Sequence, residues 1–130
     1  MKYVYPAVFT KEKKGYSINF PDLPGCYTCG DDLGYGIKMA EDVLAFTLYD
    51  LEKTSADIPE PSDISALTAG KNEFATLVAC DTVGYQRMNN GRAVKKTLTI
   101  PQWMDELATE RGVNFSKVLQ DALEEKLDIS

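Results

Sequence analysis

Three side chains in the last third of the chain could form hydrogen bonds from one face of a strand. Between residues 94 and 100, Lys95, Thr97 and Thr99 alternate with Val94, Leu98 and Ile100, a period of two that is typical of a strand with one buried face. Lysine donates hydrogen bonds, and the threonine hydroxyl both donates and accepts them. The sequence therefore predicts a strand with one buried face and one polar, outward face.

The charge distribution supports a local basic strip on an otherwise acidic protein. The 130 residues carry a net charge of −6, from 14 basic and 20 acidic side chains. Residues 92–101 carry three positive charges and no acid, from Arg92, Lys95 and Lys96. Such a strip can bind DNA locally, whereas the acidic remainder would suit a basic protein partner. Lys96 occupies a position where the alternation calls for an inward apolar residue.

Most side-chain chemistry of catalysis and metal binding is excluded by composition. The chain contains no histidine, which removes Ser-His-Asp and Cys-His catalysis and most zinc sites. Cys26 and Cys29 form a Cys-x-x-Cys motif, but on a strand this spacing places the two side chains on opposite faces. With no second pair to complete a site, we expect two ordinary strand residues, and no metal or other cofactor.

The elements of residues 1–80 predict a small α+β layer with an antiparallel sheet. Residues 2–10 and 16–20 have the composition and alternation of strands, with Pro6 favouring an edge position, and a third strand covers residues 26–29. A helix is expected from Leu33 to Lys53, capped by Asp31 or Asp32. A largely buried fourth strand follows at residues 74–80. Residues 81–91 are polar and are predicted to be a linker.

Residues 92–130 predict one strand and two helices. Pro101 suits the first position of a helix, Gly112 suits its end, and Asn114 suits the cap of a second helix whose apolar residues repeat at helical spacing. About forty residues bury too little surface to fold alone. We therefore expect a homodimer in which two strands pair as a ribbon over four helices, with higher even-numbered assemblies left open.

No apolar run approaches the roughly 20 residues of a membrane span. The first six residues are interrupted by Pro6 and have no apolar core of a signal peptide. We therefore expect a cytoplasmic protein without membrane contact, in which the three cysteines stay reduced.

The order strand, Pro101, helix, Gly112, Asn114, helix resembles the ribbon-helix-helix family of DNA-binding domains. In that family the ribbon enters the major groove. The resemblance implies that Lys95, Thr97 and Thr99 read bases of operator DNA, flanked by Arg92 and Lys96. It also implies that the second helix holds a phosphate at its N-terminus, around Asn114 and Ser116.

A second resemblance covers most of the chain. Phe20-Pro21-Asp22-Leu23-Pro24-Gly25-Cys26, then Gly30-Asp31 and the Met39-Ala40-Glu41-Asp42 helix, are similar to the HicB antitoxin family. The resemblance implies a partial ribonuclease-H-like domain at residues 1–80 followed by a ribbon-helix-helix domain at residues 92–130. It implies an antitoxin that masks a HicA-like mRNA interferase toxin and represses its own operon. The Gly34-Tyr35-Gly36 stretch departs from the usual start of the helix.

The resemblance suggests the turn after the second strand as the region that contacts the toxin. The residues of this candidate toxin interface are Phe20, Asp22, Leu23, Pro24, Gly25 and Cys26. The same turn could instead only pack the edge of the sheet.

Two other function classes remain open at this point. One is a stand-alone ribbon-helix-helix regulator whose first domain senses a small organic ligand. The other is an RNA-processing enzyme, for which a ribonuclease-H site would need carboxylates on strands that hold two divalent metals. Residues 2–10 contain no acid, whereas Asp22, Asp31 and Glu41 fall on a turn, a cap and a helix. Enzymatic activity is therefore not expected.

Overall fold

The computed structural model describes residues 1–129. It divides after Gly91 into two compact units, which we call the N-terminal unit and the C-terminal unit. The elements are β1 (Lys2–Lys11), β2 (Tyr16–Asn19), β3 (Tyr27–Gly30), α1 (Leu33–Lys53), a 3-10 turn (Ile64–Ala66), β4 (Glu73–Asp81), α2 (Thr82–Asn89), α3 (Gln102–Glu110) and α4 (Phe115–Lys126). The predicted α+β class is confirmed.

The N-terminal unit is an antiparallel sheet with α1 packed on one face. The strand order is β3-β2-β1-β4, and every neighbouring pair is antiparallel. Alternate residues of β1 face the helix, and apolar residues of α1 at helical spacing pack against them. The buried core contains Tyr5, Ala7, Phe9, Ile18, Phe20, Leu23, Cys26, Ala40, Leu44, Leu48 and Val78.

The prediction that Pro6 marks an edge strand is wrong, because β1 lies between β2 and β4. β2 pairs with β1 only from Val8 to Lys11, while β4 pairs along nearly all of β1 and places Leu77 opposite Pro6. At Pro6, β1 therefore has one ladder neighbour instead of two. A proline is tolerated there. The N–H that proline lacks would point to the side of β1 on which no strand pairs, so no ladder hydrogen bond is lost.

The glycines at the start of α1 permit a close approach to β3. The helix begins at Leu33, where it was predicted, with the Asp32 carboxylate accepting from the backbone N–H of Tyr35 at 2.8 Å. A Cβ added to Gly30 would lie 2.6 Å from the Cα of Gly36, a distance that real Cβ atoms do not reach. Glycine at this contact lets the first helical turn pack directly on the last residue of β3.

Residues 81–91 do not form the polar linker expected from the sequence. Residues 82–89 form α2, whose N-cap Asp81 accepts from the N–H of Val83 at 3.0 Å. Tyr85 of α2 packs against α1, with its ring 6.3 Å from Phe46 and 5.5 Å from Tyr49. Thr82 is buried and donates its N–H to the carbonyl of Met1. The prediction failed because the segment is mostly polar. A short helix that packs on one side needs only a few apolar residues on that side.

The C-terminal unit has the predicted helices and lacks the predicted strand. Gly112 has φ +68°, and the N–H of Val113 bonds to the carbonyl of Ala108, as at a glycine-terminated helix end. Pro101 precedes the first helical residue as the N-cap instead of occupying the first turn. Residues 91–101 have no strand assignment. A strand is defined by hydrogen bonds to a neighbouring strand, and within residues 92–129 this unit has no second strand to supply them.

Candidate functional site

The predicted toxin-contact turn is closed by its own hydrogen bonds. Phe20 N–H donates to the carbonyl of Cys26 at 3.0 Å, and Leu23 N–H returns to the carbonyl of Phe20 at 3.0 Å. Gly25 takes φ +78°, a conformation that favours glycine. Phe20, Leu23 and Cys26 are each at most 2% exposed. These three side chains therefore belong to the core and support the turn from below, and their contact with a partner stays a prediction.

The outer residues of the same turn remain accessible. Pro24 and Gly25 are exposed and Asp22 is half-buried. The Asp22 carboxylate accepts from the backbone N–H of Ser62 at 2.9 Å and from the Ser62 hydroxyl. This pair ties the turn to the segment that connects α1 with β4. The turn is therefore held in a fixed conformation, with one acid and a proline-glycine pair at its surface.

Cys26 and Cys29 differ in their exposure. Cys26 is buried, whereas Cys29 is exposed, in agreement with the opposite faces predicted for a spacing of three. Burial raises the pKa of the Cys26 thiol, although a hydrogen bond from the Thr47 hydroxyl at 3.4 Å opposes the shift. Among residues 1–129 no group of three or more His, Cys, Asp or Glu side chains could hold a metal ion.

The segment predicted to read DNA is exposed along its whole length. Lys96, Leu98 and Ile100 line a groove of about 510 Å³, whose other walls include Phe115 and Leu119 of α4. Lys96, Leu98 and Ile100 therefore share the side that faces α4. Lys95, Thr97 and Thr99 do not line the groove and are exposed. Their contact with DNA bases stays a prediction.

The N-terminus of α4 is capped by the residue that the sequence indicated. The side chain of Asn114 accepts from the N–H of Lys117 at 3.1 Å. Lys117 in turn binds Asp121 one turn later, and this hydrogen bond raises the pKa of the lysine. Phe115 and Ser116 lie in the first turn of α4, where backbone N–H groups have no carbonyl acceptor within the helix. Arg92 and Lys96 are exposed near the start of the unit.

A second groove of about 510 Å³ lies between α1, β4 and α2, and sequence reasoning missed it. Glu41, Asp42 and Asp81 line it together with Tyr85 and Met88. Burial opposes ionisation of Asp81. Hydrogen bonds from the N–H groups of Val83 and Gly84, together with the positive charges of the N-terminus and Lys2, nevertheless lower the pKa of the carboxyl. The available signal was Asp81 as a helix cap, with Tyr85 and Met88 one turn apart after it.

None of the helices within residues 1–129 has both the length and the apolar composition that a membrane span requires.

Solved structures with the same fold include components of bacterial toxin–antitoxin systems. A chain of a toxin–antitoxin complex from Streptococcus pneumoniae is 30% identical, covers 97% of this chain and 99% of its own length, and superposes with a TM-score of 0.63. The crystal structure of the antitoxin HicB3 is 26% identical and covers 98% of this chain and 99% of its own length, with a TM-score of 0.52.

Sequence comparisons agree with the structural ones. Antitoxin HicB 2 of Photorhabdus laumondii is 26% identical over 100 residues, which is 75% of this chain and 72% of that protein. The family model described as HicB-like antitoxin of bacterial toxin–antitoxin systems matches residues 5–122. This match spans the sheet, the turn at residues 20–26 and most of both C-terminal helices. The chain belongs to the HicB-like antitoxin family.

Proposed function

We propose that this antitoxin masks a small HicA-like mRNA interferase through its N-terminal unit and represses its own operon through its C-terminal unit, both in the cytoplasm. The division of charge supports the first half of the proposal. Residues 1–91 carry 8 basic and 13 acidic side chains. An acidic domain attracts a basic ribonuclease over a distance, and this attraction weakens as salt screens it.

The exposed part of the turn at residues 20–26 is the proposed toxin contact. Asp22 supplies charge, while Pro24 and Gly25 supply a rigid, accessible backbone. Its fixed geometry supports this role, since a preformed surface loses little conformational freedom on binding. Phe20, Leu23 and Cys26 hold that geometry from the core.

The observation that carries the second half is the apolar surface of the C-terminal unit. None of its residues from 92 to 129 is buried, although Val94, Leu98, Phe115, Val118, Leu119, Leu123 and Leu127 are all large and apolar. A second copy would cover these side chains and pair with the free segment 94–100. Lys95, Thr97 and Thr99 of both copies would then stand side by side on the outer face of a ribbon, which fits the major groove.

A growth-rescue assay tests the antitoxin half. The small gene beside this one is induced alone and then together with the antitoxin, with co-purification as the second readout. We expect growth arrest from the neighbour alone, rescue by the pair, and a co-purifying basic protein. A harmless neighbour that does not co-purify would contradict the proposal and favour a ligand-sensing regulator.

The operator half is tested with the double variant Lys95→Ala/Thr97→Ala. We expect it to abolish binding to the promoter region of its own operon in a gel-shift assay while the toxin complex still forms. The matched control Thr109→Ala/Lys126→Ala removes the same side-chain types from exposed positions on the helices of the same unit. Unchanged operator affinity in the first variant would remove the ribbon from the reading role.

A further inference from the structure

β4 is a long strand at one edge of the sheet. It runs for nine residues from Glu73 to Asp81 and pairs on one side only, with β1. No strand within residues 1–129 pairs with its other side. The seven residues from Phe74 to Cys80 contain neither a charge nor a proline. Leu77, at the centre of the strand, is 54% exposed.

Two flanking hydrogen bonds show which backbone groups of β4 face outward. Lys11 N–H donates to the carbonyl of Asn72 at 2.8 Å, and Thr82 N–H donates to that of Met1 at 2.9 Å. Alternate pairs exchange hydrogen bonds in an antiparallel ladder, so both bonds belong to the same alternate set as the pair Ala7–Thr76. The N–H and C=O groups of Ala75, Leu77 and Ala79 therefore point away from β1.

The opposite edge of the sheet shows how such an edge is normally limited. β3 has only four residues and ends at Gly30, where α1 packs closely. Proteins protect exposed edges by keeping them short, by placing lysine or proline on them, or by covering them. β4 is not short, and its central residues include neither lysine nor proline. Its outward N–H and C=O groups are therefore free to pair with a second strand.

We propose that β4 pairs antiparallel with β4 of a second copy, with the two-fold axis at Thr76. In this register Ala75 of one copy lies opposite Leu77 of the other, and Phe74 lies opposite Val78. Ala75 and Leu77 both point their N–H and C=O groups outward, so each such pair exchanges two backbone hydrogen bonds. The two sheets would join into one, and the exposed Leu77 would gain a neighbour on the same face.

Side-chain chemistry favours this axis over the neighbouring one. An axis at Leu77 would place Glu73 directly opposite Asp81, and like charges in opposed positions destabilise a strand pair. The axis at Thr76 instead brings Lys71 towards Asp81 and places two threonines opposite each other, which is a favourable pair. In this register Lys71 of one copy and Asp81 of the other are complementary charges, so a second copy of the chain is a suitable partner for the strand.

A self-disulfide at the axis tests the register in the full-length protein. Directly opposed residues that do not exchange hydrogen bonds have Cα atoms about 4.5 Å apart, which a disulfide can span. Thr76→Cys is made in a Cys29→Ser/Cys80→Ser background and oxidised mildly. We expect a covalent dimer on a non-reducing gel. The matched control Ala79→Cys places the two new thiols about 20 Å apart in this register, and we expect at least tenfold less dimer.

A second pair of variants tests the edge itself. Leu77→Lys added to Thr76→Cys should suppress the disulfide, whereas Val4→Lys, on the same sheet face of β1, should leave it unchanged; circular dichroism confirms folding of both. No disulfide from Thr76→Cys, or equal yields from Thr76→Cys and Ala79→Cys, would overturn the proposal. So would loss of toxin co-purification in Leu77→Lys without any disulfide, since the edge would then belong to the toxin. The disulfide readout uses neither toxin nor operator, so its failure is distinct from failure of the proposed function.

Discussion

The two units of this antitoxin use the same kind of apolar pattern with opposite results. In the N-terminal unit, residues such as Phe9 and Leu44 are completely buried between sheet and helix. In the C-terminal unit, Phe115 and Leu119 recur at helical spacing but remain 45% and 36% exposed. A periodic pattern thus identifies the face that must be buried. Whether the same chain or another one covers that face depends on how many elements the unit contains.

The largest effect is expected where the core closes within one chain. Phe9→Ala should lower the free energy of unfolding by about 3–5 kcal/mol, because it deletes a buried ring and leaves a cavity. Urea denaturation followed by circular dichroism measures this. Phe74→Ala is the matched control: its ring stacks on Phe9 at 5.0 Å but is 39% exposed, so we expect a clearly smaller loss. Equal losses would mean that the core does not centre on β1.

A somewhat smaller effect is expected where closure needs a second chain. Leu119→Glu places a charge on the face of α4 that the proposed dimer buries, and we expect operator affinity to fall by about 100-fold, which is ~2.7 kcal/mol. Gel shifts with the promoter region provide the measurement. Gln120→Glu adds the same charge to the adjacent, exposed position and should cost far less. Similar losses in both variants would indicate general repulsion from DNA instead of a broken dimer.

The difference between the units also explains which parts of the fold could be predicted from the sequence. The three-stranded meander and α1 depend on local alternation and capping, and β4 on a continuous apolar run, so their positions were predicted within one or two residues. The caps of the C-terminal helices were likewise predictable, because Gly112 and Asn114 act on backbone groups only a few residues away. These features need no knowledge of the tertiary contacts.

Features that depend on distant contacts could not be predicted in the same way. Pro6 is tolerated in a central strand because β2 is too short to pair with β1 at that position, and the sequence does not show that shortness. α2 forms because Tyr85 finds Phe46 and Tyr49, which are more than thirty residues away. Phe20, Leu23 and Cys26 resembled a contact surface because a motif does not distinguish buried from exposed members.

A capping variant separates stability from DNA contact in the C-terminal unit. Asn114→Ala removes the acceptor for the N–H of Lys117 and should cost about 1 kcal/mol. Thermal melting at a fixed protein concentration measures this loss. Asn114→Asp keeps the cap and should preserve stability, but its charge opposes the phosphate proposed at this helix end. We therefore expect Asn114→Asp to melt like the wild type and to bind the operator more weakly. Unchanged operator binding would place the phosphate elsewhere.

The smallest effect at neutral pH is expected for Tyr3 of the N-terminal unit, whose contribution to stability changes only at alkaline pH. Burial, followed by a hydrogen bond to Glu52 at 2.7 Å, raises the pKa of Tyr3 from 10.0 to about 12. The folded state therefore favours the neutral phenol, and its contribution is fully present below pH 10 and is lost as the pH rises from 10 towards 12.

Tyr3→Phe should therefore reduce the loss of stability between pH 10 and pH 12, while the protein becomes slightly less stable at neutral pH because the bond to Glu52 is gone. Burial also raises the pKa of Tyr5, so part of the alkaline dependence should remain. Urea denaturation at several pH values measures both effects. The exposed Tyr27 provides the control substitution Tyr27→Phe. An alkaline dependence that is identical in Tyr3→Phe and wild type would show that ionisation of this phenol does not couple to folding.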